Sequence, residues 1–117
     1  MANLNRVTLI GRLTRDPEVK TFSNGGAVAN VGFAVNNRRK NEVGEYKDVP
    51  VWIDLKAFNR EKRKLADMFS DMVKGQQIYV EGHLVLEEWA GKEDGKKNSK
   101  LVVYVDEFQY LEKKSQA

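Results

Sequence analysis

The stretch Val51-Trp52-Ile53-Asp54-Leu55-Lys56-Ala57-Phe58 divides by parity into two different chemistries. Val51, Ile53, Leu55 and Ala57 fall on one side of an extended chain, and Trp52, Asp54, Lys56 and Phe58 on the other, because successive strand side chains point to opposite faces. One face suits a core. The other mixes rings with charge, and parity alone leaves open whether those rings meet solvent, a second apolar layer or a subunit interface.

Working outward toward the N-terminus, residues 36 to 48 are polar with Gly44 near their middle, which predicts a long exposed hairpin loop. Before it, Ala27 to Asn36 reads as a strand with Val31, Phe33 and Val35 on one face and Asn30, Gly32, Ala34 and Asn36 on the other. Asn24-Gly25-Gly26 supplies a tight turn into that strand, and Asp16-Pro17 ends an earlier one. That earlier strand, Arg6 to Leu13, alternates Val7, Leu9, Gly11 and Leu13 with Thr8, Ile10 and Arg12.

Toward the C-terminus, Asn59 is a candidate helix cap and Glu61 suits the positive end of a helix dipole. Leu65, Met68, Phe69 and Met72 then repeat at i, i+3, i+4 and i+7 until Gly75, which predicts one amphipathic helix. Ile78 to Leu86 returns to alternation, with Ile78, Val80, Gly82, Leu84 and Leu86 on the expected core side and Tyr79, Glu81, His83, Val85, Glu87 and Trp89 opposite. Ala90 to Lys100 carries Gly91 and Gly95 among charged residues and reads as a solvated loop before a final strand, Leu101 to Leu111. The order is three strands, a helix and two strands. That order fits an all-β fold: a five-stranded OB-fold β-barrel with one α-helix between strands 3 and 4 plugging an open end. A small α+β sandwich also fits the pattern. Residues 1–111 form the expected domain and 112–117 a short polar C-terminal end.

Composition narrows the function. The chain has 117 residues, the size of one domain. No run of about 18 uncharged apolar residues occurs, nor any N-terminal apolar core of a signal peptide, so a cytoplasmic protein without membrane contact is expected. With no cysteine and one histidine, thiolate chemistry and multi-histidine metal sites are excluded, and no cofactor is expected. No GxxxxGK[ST] phosphate loop is present. The net charge of +3, from 20 basic and 17 acidic residues, suits a polyanionic partner without requiring one.

A single nucleic-acid strand presents backbone phosphates and unstacked base faces, so a binder indifferent to sequence needs cations beside exposed rings. Trp52 and Phe58 share a face with Lys56, and Trp89 ends its strand beside a charged loop. Arg12, Arg15, Lys20, Arg38, Arg39, Lys47 and Lys56 fall on expected loops or outward strand positions. Any one of these cations by itself reads as an ordinary solvated charge; the cluster beside aromatics is what points to phosphate. His83 lacks a second histidine nearby and reads as a satisfied surface or interface side chain.

Three segments give a resemblance. Asn5-Arg6-Val7-Thr8-Leu9-Ile10-Gly11-Arg12-Leu13-Thr14-Arg15-Asp16-Pro17-Glu18, Asn24-Gly25-Gly26-Ala27-Val28-Ala29-Asn30, and Ile78-Tyr79-Val80-Glu81-Gly82-His83-Leu84 with Trp52, Phe58, Lys74-Gly75 and Trp89 closely resemble the bacterial-type single-stranded DNA-binding proteins, over residues 4 to about 111. The resemblance implies an OB-fold, usually a homotetramer, around which single-stranded DNA wraps in replication, recombination and repair. It also implies that Trp52, Phe58 and Trp89 are base-stacking platforms. The chain departs from the family in three places. Arg38-Arg39 stands where many members have a further stacking tryptophan, which suggests phosphate pairing or guanidinium stacking and a more salt-sensitive affinity. Val85 and Glu87 stand where basic residues often precede the last tryptophan, which suggests a weaker or altered wrapping path. Glu112-Lys113-Lys114-Ser115-Gln116-Ala117 stands where the family continues into a flexible tail with an acidic, hydrophobic tip that recruits enzymes. Either a short form lacking that tail or a longer protein trimmed of it fits this ending, and recruitment through such a tip is not assumed. Two other classes remain: an OB-fold protein-interaction adaptor of the primosome type with its aromatics at interfaces, and a hydrolase using Asp54 and Glu81 as paired carboxylates.

Overall fold

Alternating sequence becomes strand wherever a neighbour can take up its backbone hydrogen bonds. The computed structural model, which describes residues 2–92 and 95–111, holds six strands and one helix in this order. They are β1 (Val7–Leu13), β2 (Glu18–Thr21), β3 (Ala27–Lys40), β4 (Tyr46–Phe58), α1 (Leu65–Phe69), β5 (Gln77–Ala90) and β6 (Lys97–Tyr110). The polar end 112–117 lies outside the described residues.

The neighbours run β1-β5-β6-β4-β3, and β3 returns to β1 through Arg12 opposite Ala34 and Leu13 opposite Phe33. This is the expected five-stranded OB barrel, closed so that no principal strand is left with a bare edge. Its one parallel seam joins β4 to β6 at Leu55 opposite Val103 and Lys56 opposite Tyr104. The short β2 adds to β3 alongside Ala27–Asn30. Alternation does not announce β2, since Glu18-Val19-Lys20-Thr21 offers only Val19 as an apolar residue.

The inward faces meet as expected. Leu13, Val31, Phe33, Leu55, Ile78, Val80, Val103 and Val105 are buried together, and α1 closes the barrel with Leu65, Ala66 and Phe69. Phe69 lies against Phe108 with ring centroids 5.0 Å apart. The helix is shorter than its apolar spacing predicts. Met72 is buried just beyond its end, in a turn where its N–H donates to the Phe69 carbonyl at 3.0 Å. The Ser70 hydroxyl donates to the Asp67 carbonyl at 2.5 Å, a local bond that competes with helix continuation. Lys64 occupies the N-cap, so Glu61 lies outside the helix. Asn59 caps it from a distance: its Oδ1 accepts from the Asp67 N–H at 3.2 Å and its Nδ2 donates to the Asp67 carboxylate at 3.1 Å.

The strands outrun their predicted ends, and the two expected long loops are mostly paired hairpin. Between β3 and β4 pairing continues through Asn37 opposite Val49, Arg38 opposite Asp48, Arg39 opposite Lys47 and Lys40 opposite Tyr46. Between β5 and β6 it continues to Ala90 opposite Lys97. Antiparallel backbones pair whether or not their side chains are apolar, which residue periodicity cannot report. These extensions make two arms leaving the barrel. On the second arm Leu84 and Leu86 are exposed, contrary to their expected place in the core. The change of environment follows Gly82, where β5 and β6 shift register and a Cβ would stand 2.3 Å from the Tyr104 carbonyl oxygen. That close approach leaves no room for a side chain, and past the bulge no second layer covers the leucines.

Candidate nucleic-acid interface

Strand parity carries Trp52, Asp54, Lys56 and Phe58 to the outside of β4, where Trp52 is 71% exposed. Across the sheet the same face receives Lys100 and Tyr104 from β6 and Glu87 from β5. Lys100 Nζ donates to Asp54 at 2.6 Å, Lys56 Nζ pairs with Glu87 at 2.8 Å, and the rings of Phe58 and Tyr104 lie 5.0 Å apart. Trp89, two residues beyond Glu87 and 47% exposed, therefore shares the face.

A groove of about 520 Å³ runs beside Trp52, lined also by Arg15, Gly32, Asp54, Lys100 and Leu101. An adjoining groove of about 280 Å³ shares Arg15, Asp54 and Lys100 and adds Lys20 and Lys56. Trp52, Arg15, Lys20 and Lys56 thus come together. Phe58 borders them half-buried, held by the Tyr104 ring. Arg12 and Trp52 flank Ala34 on neighbouring strands. The Arg12 guanidinium donates to the Gly75 carbonyl at 2.8 Å and lines a separate groove with Ile10, Asn36 and Pro50.

Counting back by two from Trp52 gives Pro50, Asp48 and Tyr46, opposite Asn36, Arg38 and Lys40. Arg38 therefore lies on the Trp52 face, with its guanidinium carbon 5.1 Å from the centre of the Tyr46 ring. Arg39 and Lys47 oppose each other on the reverse face of the arm and do not join the groove. Tyr46, Tyr104 and Lys100 belong to this face but were not among the expected site residues. Tyr46 and Lys100 fell in segments read as loops, although parity from Trp52 and from Tyr104 reaches both.

The carboxylates decide the local electrostatics. Asp54 lies 3.8 Å from the Arg15 guanidinium as well as touching Lys100. Burial pushes the Glu87 carboxyl up, but hydrogen bonds from Lys56 and Tyr104 and the charges of Lys56 and Lys100 outweigh it and hold the group below the ordinary glutamate value. Burial, then the bond to Glu87 at 2.9 Å and its charge, raises the Tyr104 phenol. His83 Nδ1 bonds Asp106 at 2.9 Å, and Arg60 reaches the other oxygen of the same carboxylate at 3.1 Å. Asp54 and Glu81 have separate partners: Asp54 is held by its two cations, and Glu81 accepts from the Tyr79 hydroxyl at 2.5 Å. Among the described residues no cluster of three metal-ligating side chains occurs, and no helix is long and apolar enough to cross a membrane.

The model of the single-strand binding protein family matches residues 4–111. The single-stranded DNA-binding protein of Borreliella burgdorferi is 38% identical over 109 residues, covering 93% of this chain and 70% of that one. That of Helicobacter pylori is 35% identical over 111 residues, covering 95% of this chain and 60% of the relative. Among solved structures, a deletion mutant of the single-stranded DNA-binding protein from Thermus aquaticus superposes with a TM-score of 0.77 at 32% identity, covering 94% of this chain and 51% of that one. A Plasmodium falciparum protein of the same kind, solved with single-stranded DNA, gives 0.83 at 21% identity, covering 96% and 98%, which speaks to the fold alone. The chain spans 60% and 65% of the length of the relatives from Helicobacter pylori and Wolinella succinogenes.

Proposed function

Because the chain belongs to the single-strand binding protein family, we propose that it binds single-stranded DNA without sequence preference, as a non-catalytic module formed by residues 1–111. The observation that carries this reading is one face bearing two exposed tryptophans, Trp52 and Trp89, with a cation-lined groove beside the first. Bases stack on Trp52 and Trp89 and on the accessible side of Phe58. Arg15, Lys20 and Lys56 serve phosphates in the grooves, with Arg12 beside them and Arg38 farther along the arm. Arg39 and Lys47 would meet only a strand that rounds the arm. Each stacked base contributes roughly 1–3 kcal/mol, judged by alanine substitution.

The biological setting follows the family: protection of single strands in replication, recombination and repair, in the cytoplasm at the nucleoid. A homotetramer is part of the proposal. Its support here is the exposed apolar side chains of Ile10, Leu84, Leu86 and Leu101, which a partner copy would cover. Recruitment of enzymes through an acidic C-terminal tip is not included.

Titration with oligo-dT at low salt tests the proposal. Stacking quenches tryptophan emission in proportion to saturation, and unquenched emission at micromolar protein would refute it.

A further inference from the structure

The cations beside Trp52 are already partnered from within the chain. Asp54 sits between Arg15 and Lys100, at 3.8 and 2.6 Å, and Glu87 binds Lys56 at 2.8 Å. These are partly solvated pairs: the side chains of Asp54 and Glu87 are 40% and 20% exposed. Asp54 is exposed enough that its pairs add little to folding stability, so holding the fold is a weak account of its position. Asp54 lines both grooves where a polyanion would lie, and Glu87, outside their lining, holds Lys56, which lines the second.

A phosphate that uses Arg15, Lys100 or Lys56 competes with the carboxylate already bound to that cation. The exchange swaps one anion for another, so it releases fewer counterions and gains less than contact with a free lysine or arginine. Stacking on Trp52 and Trp89 is not reduced in this way, since neither ring depends on the ion pairs. The two contributions to affinity are therefore weighted unequally, away from charge and toward base faces.

We propose that Asp54 and Glu87 are specificity-determining residues: by occupying the groove's cations they make binding depend on stackable bases and discriminate against polyanions that offer charge alone. The inference rests on the single-stranded DNA reading above and names the residues that set its selectivity. Discrimination here comes from a repulsive element placed against the wrong ligand rather than from a better contact to the right one.

The test compares the full chain with Asp54→Asn and Glu87→Gln, using oligo-dT as the base-bearing probe and inorganic polyphosphate as the base-free one, each titrated at several salt concentrations. Glu61→Gln is the control, since it removes the same charge from an exposed position outside the grooves. The parent should bind oligo-dT well and polyphosphate poorly. Each groove variant should tighten polyphosphate about tenfold and oligo-dT about threefold, and steepen the salt dependence by about one counterion; Glu61→Gln should leave the ratio of the two affinities unchanged. Near-isosteric changes keep the packing, and if Glu87→Gln loses its fold by circular dichroism, Asp54→Asn decides the matter. Unchanged polyphosphate binding in the groove variants, or an equal gain in Glu61→Gln, would overturn the inference while leaving the DNA reading intact. A parent that fails to bind oligo-dT would overturn both.

Discussion

Ile78 and Val80 are buried in the barrel, while Leu84 and Leu86, on the same strand and of the same parity, are exposed on the arm. β4 repeats the contrast in the other direction, from exposed Val49 and Val51 to buried Leu55 and Ala57. Parity states which way a side chain points, and the tertiary fold decides whether anything lies there. In the barrel the inward side meets the opposite wall and α1. On the arms the backbone is still paired, but the same side meets solvent, and the outward side carries Tyr46 and Arg38 on one arm and Trp89 and Glu87 on the other, continuing the barrel face that bears Trp52. Stability belongs to the inward side of the barrel, and contact with a ligand to the outward face that runs from Lys56 and Trp52 onto the arms.

The largest effect that could break this division is in unfolding. Leu55→Ala removes a fully buried side chain from the barrel and should cost about 2–5 kcal/mol, whereas Val49→Ala, at a residue 44% exposed on the first arm and outside the proposed subunit contact, should change stability by less than about 0.5–1 kcal/mol. Urea unfolding of both variants checks this. Equal losses would show that the arm is covered in solution, and a concentration-dependent midpoint would identify another copy as the cover.

A smaller effect separates the regions by pH. Burial opposes ionisation of Asp106, but His83 and Arg60 hold its carboxyl below the ordinary value; Arg63, followed by the Phe108 N–H, does the same for Glu107. These ion pairs fasten the segment before α1 to β6. Because the folded carboxyls titrate below their unfolded values, 3.8 for aspartate and 4.5 for glutamate, the unfolded chain takes up protons first as pH falls. Their stabilisation is present above those values and is lost on descent through the lower folded ones. Thermal melts should show a midpoint that is level above about pH 5 and falls below about pH 4, with a shallower fall in Glu107→Gln. A midpoint unchanged down to pH 3 in the parent would contradict this role.

The barrel was legible in the sequence because its strands have one side to bury: Val31 and Phe33, Leu55 and Ala57, Ile78 and Val80 all lie inward where alternation puts them. The arms were not legible as strands. Backbone pairing between Arg38 and Asp48, or Glu87 and Lys100, leaves no apolar periodicity, and Gly44 and Gly95 with their polar neighbours look like loop. The face bearing Trp52, Lys56 and Phe58 followed from parity, and the resemblance linked it to DNA. Tyr46 and Lys100 escaped because their segments were not recognised as strand. The roles of Asp54 and Glu87 required distances, since nothing in their spacing says which cations they hold.

The central claim is that base stacking on the outward face, rather than charge alone, carries binding. Anisotropy of a labelled oligo-dT at two salt concentrations, with parent, Trp52→Ala and Arg38→Ala, tests it most directly. Trp52→Ala should weaken binding by roughly 1–3 kcal/mol at both salts, while the effect of Arg38→Ala should shrink at the higher salt as its slope falls by about one counterion. Binding by Trp52→Ala equal to the parent, or a Trp52→Ala defect that vanishes at the higher salt, would contradict the account.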